Sequence, residues 1–123
     1  GASAYERTYR DINQTTHGFT VGDIIRFNGT IFTKAQANVE ANAECMGIVS
    51  AVAGSNDFTM TTHGYVTGLS GLTSGTTYFL SETTAGLLTA TAPSTSANVR
   101  KAQFIATSTT TGHYNNFVGY IIP

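Results

Sequence analysis

The chain has 123 residues, a net charge of −1 and only 11% charged residues, so it is long enough for one domain with a real core. With no basic cluster, a partner held by its phosphate backbone is not expected, and with no long apolar stretch, membrane insertion is not expected either. Thr, Ser, Asn and Gly supply the polarity, while 41% of residues are hydrophobic and occur in alternating runs, which favours β-strands over disorder.

The first residues, Gly1-Ala2-Ser3, are typical of a cleavage scar, so the sequence is interpreted as a fragment of a larger protein. Residues 1–13 are expected to hold this scar and a short entry strand, in which Tyr5, Arg7 and Tyr9 alternate with more polar residues. Residues 14–123 are expected to form a single β-domain.

The first half of this domain carries clear turn signals. Residues 15–18 (T-T-H-G) predict a turn into Phe19. Asn28-Gly29 lies between two apolar runs and predicts a hairpin with a type I′ turn, in which both central residues have positive φ. Residues 53–56 (A-G-S-N) predict a second hairpin between strands at 47–52 and 57–62.

The segment from Ala35 to Cys45 is ambiguous. Ala35, Val39 and Ala43 recur at the four-residue spacing of a short helix, but Asn38 and Asn42 weaken a helix and no cap is evident. An extended surface loop is the alternative.

The second half repeats the pattern of short strands and turns. A crossover rich in glycine is predicted at residues 69–75, followed by a hairpin of strands at 76–81 and 87–91. A loop that contains Pro93 is predicted at 92–97, and the final strands at 103–107 and 114–122. The whole pattern predicts an all-β fold, an antiparallel β-sandwich or barrel of about eight or nine short strands.

The two halves also resemble each other in sequence. Four blocks beginning at Gly22, Gly29, Met46 and His63 return at Gly75, Gly86, Ala102 and Val118, which are 53 to 57 residues later. Self-similarity at a steady period indicates duplicated units, here pseudo-repeats at about 14–66 and 67–122 with two similar halves. Chance similarity between Thr- and Gly-rich strands is the alternative.

No catalytic site, metal site or cofactor is predicted. His17, His63 and His113 are interpreted as structural turn residues, because no two are closer than 46 residues in the sequence, although one of them could meet its copies on a trimer axis. Glu40 and Glu44 are too isolated to nominate as a paired acid and base, and no serine lies in a nucleophile elbow. Cys45 is alone and is expected to be a small buried hydrophobe. The chain is therefore not expected to be an enzyme.

One segment, His113–Phe117, points to ligand binding. It places two asparagines between aromatic residues inside a predicted strand, where Asn is unfavourable. Sugars bind through amide hydrogen bonds beside flat aromatic rings, so His113, Tyr114 and Asn115 are the candidate ligand-binding residues. The alternative is that the amides satisfy neighbouring backbone or lie in a subunit contact.

Residues 67–81 (T-G-L-S-G-L-T-S-G-T-T-Y-F-L-S) followed by 84–89 (T-A-G-L-L-T) resemble a β-module of tailed-bacteriophage tail fibres and other virion proteins. Residues 17–23, 44–52 and 104–107 fit the same module, so the resemblance covers roughly Gln14 to Ile122.

The resemblance implies a non-enzymatic, usually homotrimeric module located in the virion. At a tail-fibre tip it would bind host surface polysaccharide or lipopolysaccharide. A structural module, either capsid decoration or fibre shaft without receptor contact, is the alternative. A third alternative, a glycan-cleaving depolymerase segment, would need paired carboxylates, and no such pair is found in the sequence.

Overall fold

The computed structural model describes residues 6–123, and its regular structure is almost entirely antiparallel strands. The predicted all-β class is confirmed. The strands are β1 (Arg7–Asn13), β2 (Ile24–Phe27), β3 (Phe32–Lys34), β4 (Gly47–Gly54), β5 (Asp57–Val66), β6 (Thr77–Leu80), β7 (Leu88–Thr89), β8 (Val99–Arg100), β9 (Ala102–Ala106), β10 (Gly112–Asn115) and β11 (Tyr120–Ile121).

Nine of these strands form one sheet that curls into a half-barrel, and β8 and β11 form a second, two-stranded sheet. The order in the large sheet is β3-β2-β4-β5-β10-β9-β6-β7, with β1 added beside β5. The order is symmetric about its centre: in each half a hairpin is followed by a strand that pairs with the first strand of that hairpin. The two similar halves predicted from the sequence are therefore present in the topology.

The turn before each hairpin is also repeated. Gly22 and Gly75 both have positive φ, 102° and 82°, a conformation that favours glycine. Gly22 N–H donates to Val49 O at 2.8 Å, and Gly75 N–H donates to Ala106 O at 2.7 Å. In each half, an equivalent glycine thus connects the turn before the hairpin to the strand that follows the hairpin.

The predicted equivalence of the fourth pair of sequence blocks is wrong. It matched His63–Val66 with Val118–Ile121, but the counterpart of β5 in the symmetric order is β10. Residues 118–121 leave the large sheet, and Tyr120 and Ile121 pair with β8.

Strand β5 holds the sheet together because three strands pair with it. On one edge β1 follows it, while the other edge is divided between β4 and β10. Gly64 makes the approach of β1 possible: a Cβ at this position would lie 2.6 Å from Glu6 O and from Arg7 Cα. The predicted domain boundaries at residues 13 and 66 stay predictions, and Gly1 to Tyr5 lie outside the described residues.

The core has two parts, because the first half of the sheet is covered on both faces. Ile24 and Ile25, adjacent on β2, are both fully buried but belong to different clusters. The smaller cluster is centred on Phe58, whose ring packs edge-on against Phe19 at 5.1 Å and Phe32 at 6.1 Å. Truncating an aromatic residue in such a place costs about 3–5 kcal/mol.

The hairpin at Asn28-Gly29 is confirmed, but its type I′ turn is wrong. The loop has four residues, 28–31, and of Asn28 and Gly29 only the glycine has positive φ, at 102°. The Asn28 side-chain oxygen accepts hydrogen bonds from the N–H groups of Thr30 and Ile31 at 2.9 and 3.0 Å. This side chain stabilises a wider loop than the dipeptide predicts.

The ambiguous segment from Ala35 to Cys45 is irregular, with a single 3₁₀ turn at Ala41–Ala43. The loop alternative is confirmed, and its surface location holds only in part, since Ala35, Ala37, Ala43 and Cys45 are buried while Glu40 and Glu44 are exposed. The small side chains that suggested a helix instead let this segment pack against the large sheet. The described residues contain no helix with the length and apolar character needed to cross a membrane.

The predicted final strand at 114–122 is divided. Strand β10 ends at Asn115, residues 116–119 are irregular, and β11 covers Tyr120–Ile121. We call residues 116–121 the C-terminal strap.

A carboxylate organises the loop before β8. Glu82 accepts hydrogen bonds from the Asn98 amide at 2.9 Å and from the backbone N–H groups of Ser94 and Thr95 at 3.0 and 3.2 Å. These bonds, led by that from Asn98, lower the pKa of Glu82 to about 2. The ionised carboxylate therefore holds residues 94–98 in place.

We predict that this loop loosens in acid. Because the pKa of Glu82 is lower in the folded chain than in the unfolded chain, its stabilisation is complete above about pH 4.5 and is lost as the pH falls towards about 2. The protection factors of the amides of residues 94–98, which correct for the intrinsic pH dependence of exchange, should fall across this interval, and Glu82→Gln should show faster exchange already at pH 7. Equal exchange in the variant and the parent at pH 7 would contradict this role.

Candidate functional site

The three predicted ligand-binding residues lie on β10 but do not form one surface. Tyr114 is fully buried in the larger core cluster, whereas His113 is exposed and Asn115 is half-buried. Neighbouring residues on a strand point to opposite faces. The assignment of Tyr114 as a ligand contact is therefore corrected: its side chain is part of the core.

A chain of polar groups that runs from two buried side chains to the exposed Asn116 explains why a tyrosine is tolerated in that position. The Tyr114 hydroxyl donates to Gln103 Oε1 at 2.6 Å, and Gln103 Nε2 donates to Asn116 Oδ1 at 3.0 Å. Asn116 Nδ2 in turn donates to Cys45 O at 2.7 Å. Burial, and to a lesser degree the Cys45 thiol, raise the pKa of Tyr114 far above its usual value. Asn116 thus satisfies neighbouring backbone, the alternative left open for the asparagines.

The histidines have two different environments. His17 is buried, with Nε2 donating to Gly54 O at 2.7 Å and Nδ1 accepting from Phe19 N–H at 2.9 Å, so it has the predicted structural role. His63 and His113 are exposed, and the pairing of β5 with β10 brings their ring centroids to 5.1 Å. Their separation in the sequence did not prevent this contact.

These two rings border a shallow cleft of about 330 Å³ that Glu6 and Arg7 also line. Among residues 6–123, no group of three or more His, Cys, Asp or Glu side chains is arranged to hold a metal ion. The histidine pair by itself provides no more than two nitrogen ligands, so we do not nominate it as the functional site.

A larger cleft, of about 480 Å³, lies beside the C-terminal strap and is the candidate functional site. We call it the strap cleft. Its lining includes two aromatic rings, two carboxylates, an ammonium group and an amide, which come from Phe117, Tyr120, Glu40, Glu44, Lys101 and Asn116. Apolar rings with a few polar groups are typical of ligand sites.

The strap is held in position from both ends. Asn116 is anchored to Cys45 as described, and β11 pairs with β8, with Tyr120 opposite Arg100. The guanidinium of Arg100 donates to the Tyr120 hydroxyl at 2.9 Å and lies 5.7 Å from the ring centroid. Between these anchors, Gly119 passes so close that a Cβ would lie 2.5 Å from Arg100 O.

The two aromatic rings of the cleft remain accessible. Phe117 is 46% exposed and Tyr120 is 53% exposed. Glu40 and Glu44 are exposed at the rim, whereas Lys101 is buried at the floor. The cleft thus offers rings for stacking and carboxylates that accept hydrogen bonds.

Cys45 also lines the cleft but is not a nucleophile. Burial is the main cause that raises its pKa to about 11, and its thiol lies 3.2 Å from Ala43 O. The thiol is therefore protonated at neutral pH and acts as the predicted small buried hydrophobe.

Comparison with known proteins found no matching family model, no matching curated protein and no matching solved structure.

Sequence reasoning located the site only in part. The segment His113–Phe117, singled out from the sequence, included Phe117. The residues nominated from it as ligand contacts were His113, Tyr114 and Asn115, which do not line the strap cleft. Lys101 carried no local signal, since it belongs to no motif in the sequence and its burial depends on the strap that covers it. The rim position of Glu40 and Glu44 depends on where an irregular loop meets the strap.

We predict that Tyr114 stabilises the fold through its hydroxyl. Tyr114→Phe leaves the buried Gln103 Oε1 without its partner and should lower the free energy of unfolding by about 1–3 kcal/mol. Tyr120→Phe is the control, because its hydroxyl is on the surface and its loss should change stability by less than about 0.5 kcal/mol. Urea unfolding of both variants measures this, and equal small effects would show that the buried chain contributes nothing.

Proposed function

We propose that this protein is a non-catalytic β-module of a tailed-phage virion that binds a host surface glycan, polysaccharide or lipopolysaccharide, in the strap cleft. The observation that carries the proposal is the combination of two half-exposed aromatic rings, Phe117 and Tyr120, with carboxylates at the rim of one cleft. The sequence resemblance to tail-fibre modules supports the virion setting.

The chemistry of the cleft suits a sugar. A pyranose ring has an apolar face that stacks on an aromatic ring and a polar edge that forms hydrogen bonds. Phe117 and Tyr120 supply the rings, and the exposed carboxylates of Glu40 and Glu44 are acceptors for sugar hydroxyls. The anchored strap presents these groups without a large ordering cost on binding.

The proposed role is binding rather than cleavage. Hydrolysis of a glycosidic bond usually requires one carboxylic acid with a raised pKa opposite a second carboxylate. Glu40 and Glu44 are both exposed at the rim of the cleft and do not face each other from opposite elements, since they lie four residues apart in one loop segment. Their positions are suited to hydrogen bonding with a bound sugar.

We also propose self-association, as a homotrimer. Val118, in the middle of the strap, is 97% exposed, and Phe117 and Ile121 of the same segment are about half exposed. Apolar side chains grouped on one surface segment favour burial against another protein. In a trimer, three copies of the strap cleft would multiply weak contacts to a repeated polysaccharide.

The exposure of Val118 also favours the alternative function, a structural module for capsid decoration or a fibre shaft. In that case the strap would be covered by a neighbouring subunit and the cleft would have no ligand. Because Phe117 and Val118 both line the cleft, the two functions are separated by measuring glycan binding and association independently.

The first experiment tests glycan binding. Phe117→Ala should weaken binding of the isolated chain to its glycan by about two- to tenfold, the value of one stacking contact, on an array of bacterial surface polysaccharides and lipopolysaccharides. Phe27→Ala is the matched control, since Phe27 is 45% exposed and lies on β2, away from the cleft. Absence of binding by the parent protein to any glycan on the array would favour the structural alternative.

The second experiment tests assembly. Sedimentation equilibrium should show a trimer for the parent chain, and Val118→Ser should weaken association while leaving the unfolding midpoint of the subunit nearly unchanged. A parent chain that stays monomeric at high micromolar concentration would refute self-association through the strap.

A further inference from the structure

The floor of the strap cleft holds a positive charge that is buried without an opposite charge. Lys101 lies at the single-residue break between β8 and β9, and the residue is only 9% exposed. Its Nζ donates a hydrogen bond to Ala43 O at 3.0 Å. Among the described residues, no carboxylate forms an ion pair with this ammonium.

The other lysine of the chain shows the usual arrangement. Lys34 is exposed, and its Nζ lies 3.7 Å from Asp23 Oδ2. A buried charge is normally paired, because removal of an ammonium from water costs several kcal/mol. A neutral carbonyl uses one of the three N–H donors of Lys101 and leaves its charge uncompensated.

The fold fixes the backbone of Lys101 beneath the strap. Its backbone carbonyl accepts from Leu80 N–H at 3.0 Å, and the strap passes close to the start of its side chain, since a Cβ on Gly119 would lie 2.8 Å from Lys101 Cβ. The ammonium is thus held at the floor of a cleft that is open to ligands at its rim.

The rim carboxylates limit what can reach this ammonium. Glu40 and Glu44 line the same cleft but are exposed, so water screens their charge. They would disfavour a ligand with several negative charges, while they accept hydrogen bonds from hydroxyl groups. The ligand that matches the cleft has one anionic group for the floor, hydroxyls for the rim and an apolar face for the rings.

We propose that the strap cleft recognises an acidic sugar, whose carboxylate binds the Lys101 ammonium while its ring stacks on Phe117 or Tyr120. This inference rests on the proposed glycan-binding function and names its ligand class. A carboxylate carries a single charge and neutralises the single ammonium. A phosphate dianion would leave an excess negative charge beside the two rim carboxylates.

The test compares three matched probes by NMR titration of the parent chain: glucuronic acid, glucose and glucose 6-phosphate. Glucuronic acid should bind most tightly, with shifts in residues 99–101 and 116–121. Lys101→Met, which keeps the stem and removes the charge, should reduce glucuronic acid affinity by about tenfold to a hundredfold and leave glucose unaffected. Lys34→Met is the matched control and should bind as the parent does.

Removal of an unpaired buried charge should not destabilise the chain, so Lys101→Met is expected to fold. If it does not, Lys101→Arg keeps the charge and should keep the preference for glucuronic acid. Equal binding of glucuronic acid and glucose by the parent would overturn the acidic-sugar assignment while leaving glycan binding in place. Tighter binding of glucose 6-phosphate than of glucuronic acid would also overturn it, because the group recognised by Lys101 would then be a phosphate and not a carboxylate. If none of these probes and no glycan on the array binds, the proposed function itself fails.

Discussion

The antiparallel pairing of β5 with β10 is the interaction on which the rest of the structure depends. It joins the two similar halves of the sheet at their centre, with Gly64 opposite Tyr114. Gly64 also lies opposite Arg7 of β1, and only the absence of a side chain there allows that third strand to approach. Since a one-residue change of register would turn each side chain to the other face, this pairing also places Tyr114 in the core and His113 on the surface.

The same pairing determines where the candidate site forms. With Tyr114 buried, its hydroxyl needs a partner, and the resulting chain through Gln103 and Asn116 ends on Cys45 O. Asn116, an exposed residue just past the end of β10, completes this chain, and the residues after it form the strap over Lys101. The strap cleft is a consequence of satisfying buried polar groups, which is a strong requirement in a low-dielectric core.

Local sequence signals predicted those parts of the fold that depend on neighbouring residues. The hairpins at 28–29 and 53–56, the crossover at 69–75 and the equivalence of Gly22 with Gly75 all follow from turn chemistry, in which a backbone conformation requires a small set of residue types. The prediction was wrong in two loops, one set by a local side-chain hydrogen bond and one by tertiary packing. The Asn28 side chain widened its loop, and four small residues between Ala35 and Cys45 were buried by a sheet whose position the local pattern does not contain.

The sequence by itself determined the all-β class and the two similar halves, because alternation and glycine-bearing turns are local properties. Only the tertiary structure decided that Tyr114 is core, that His63 meets His113, and that Lys101 is buried beneath the strap beside Phe117 and Tyr120. Those facts depend on strand register and on which segments cover one another. Both are set by the packing of residues far apart in the chain, so no short stretch of sequence encodes them.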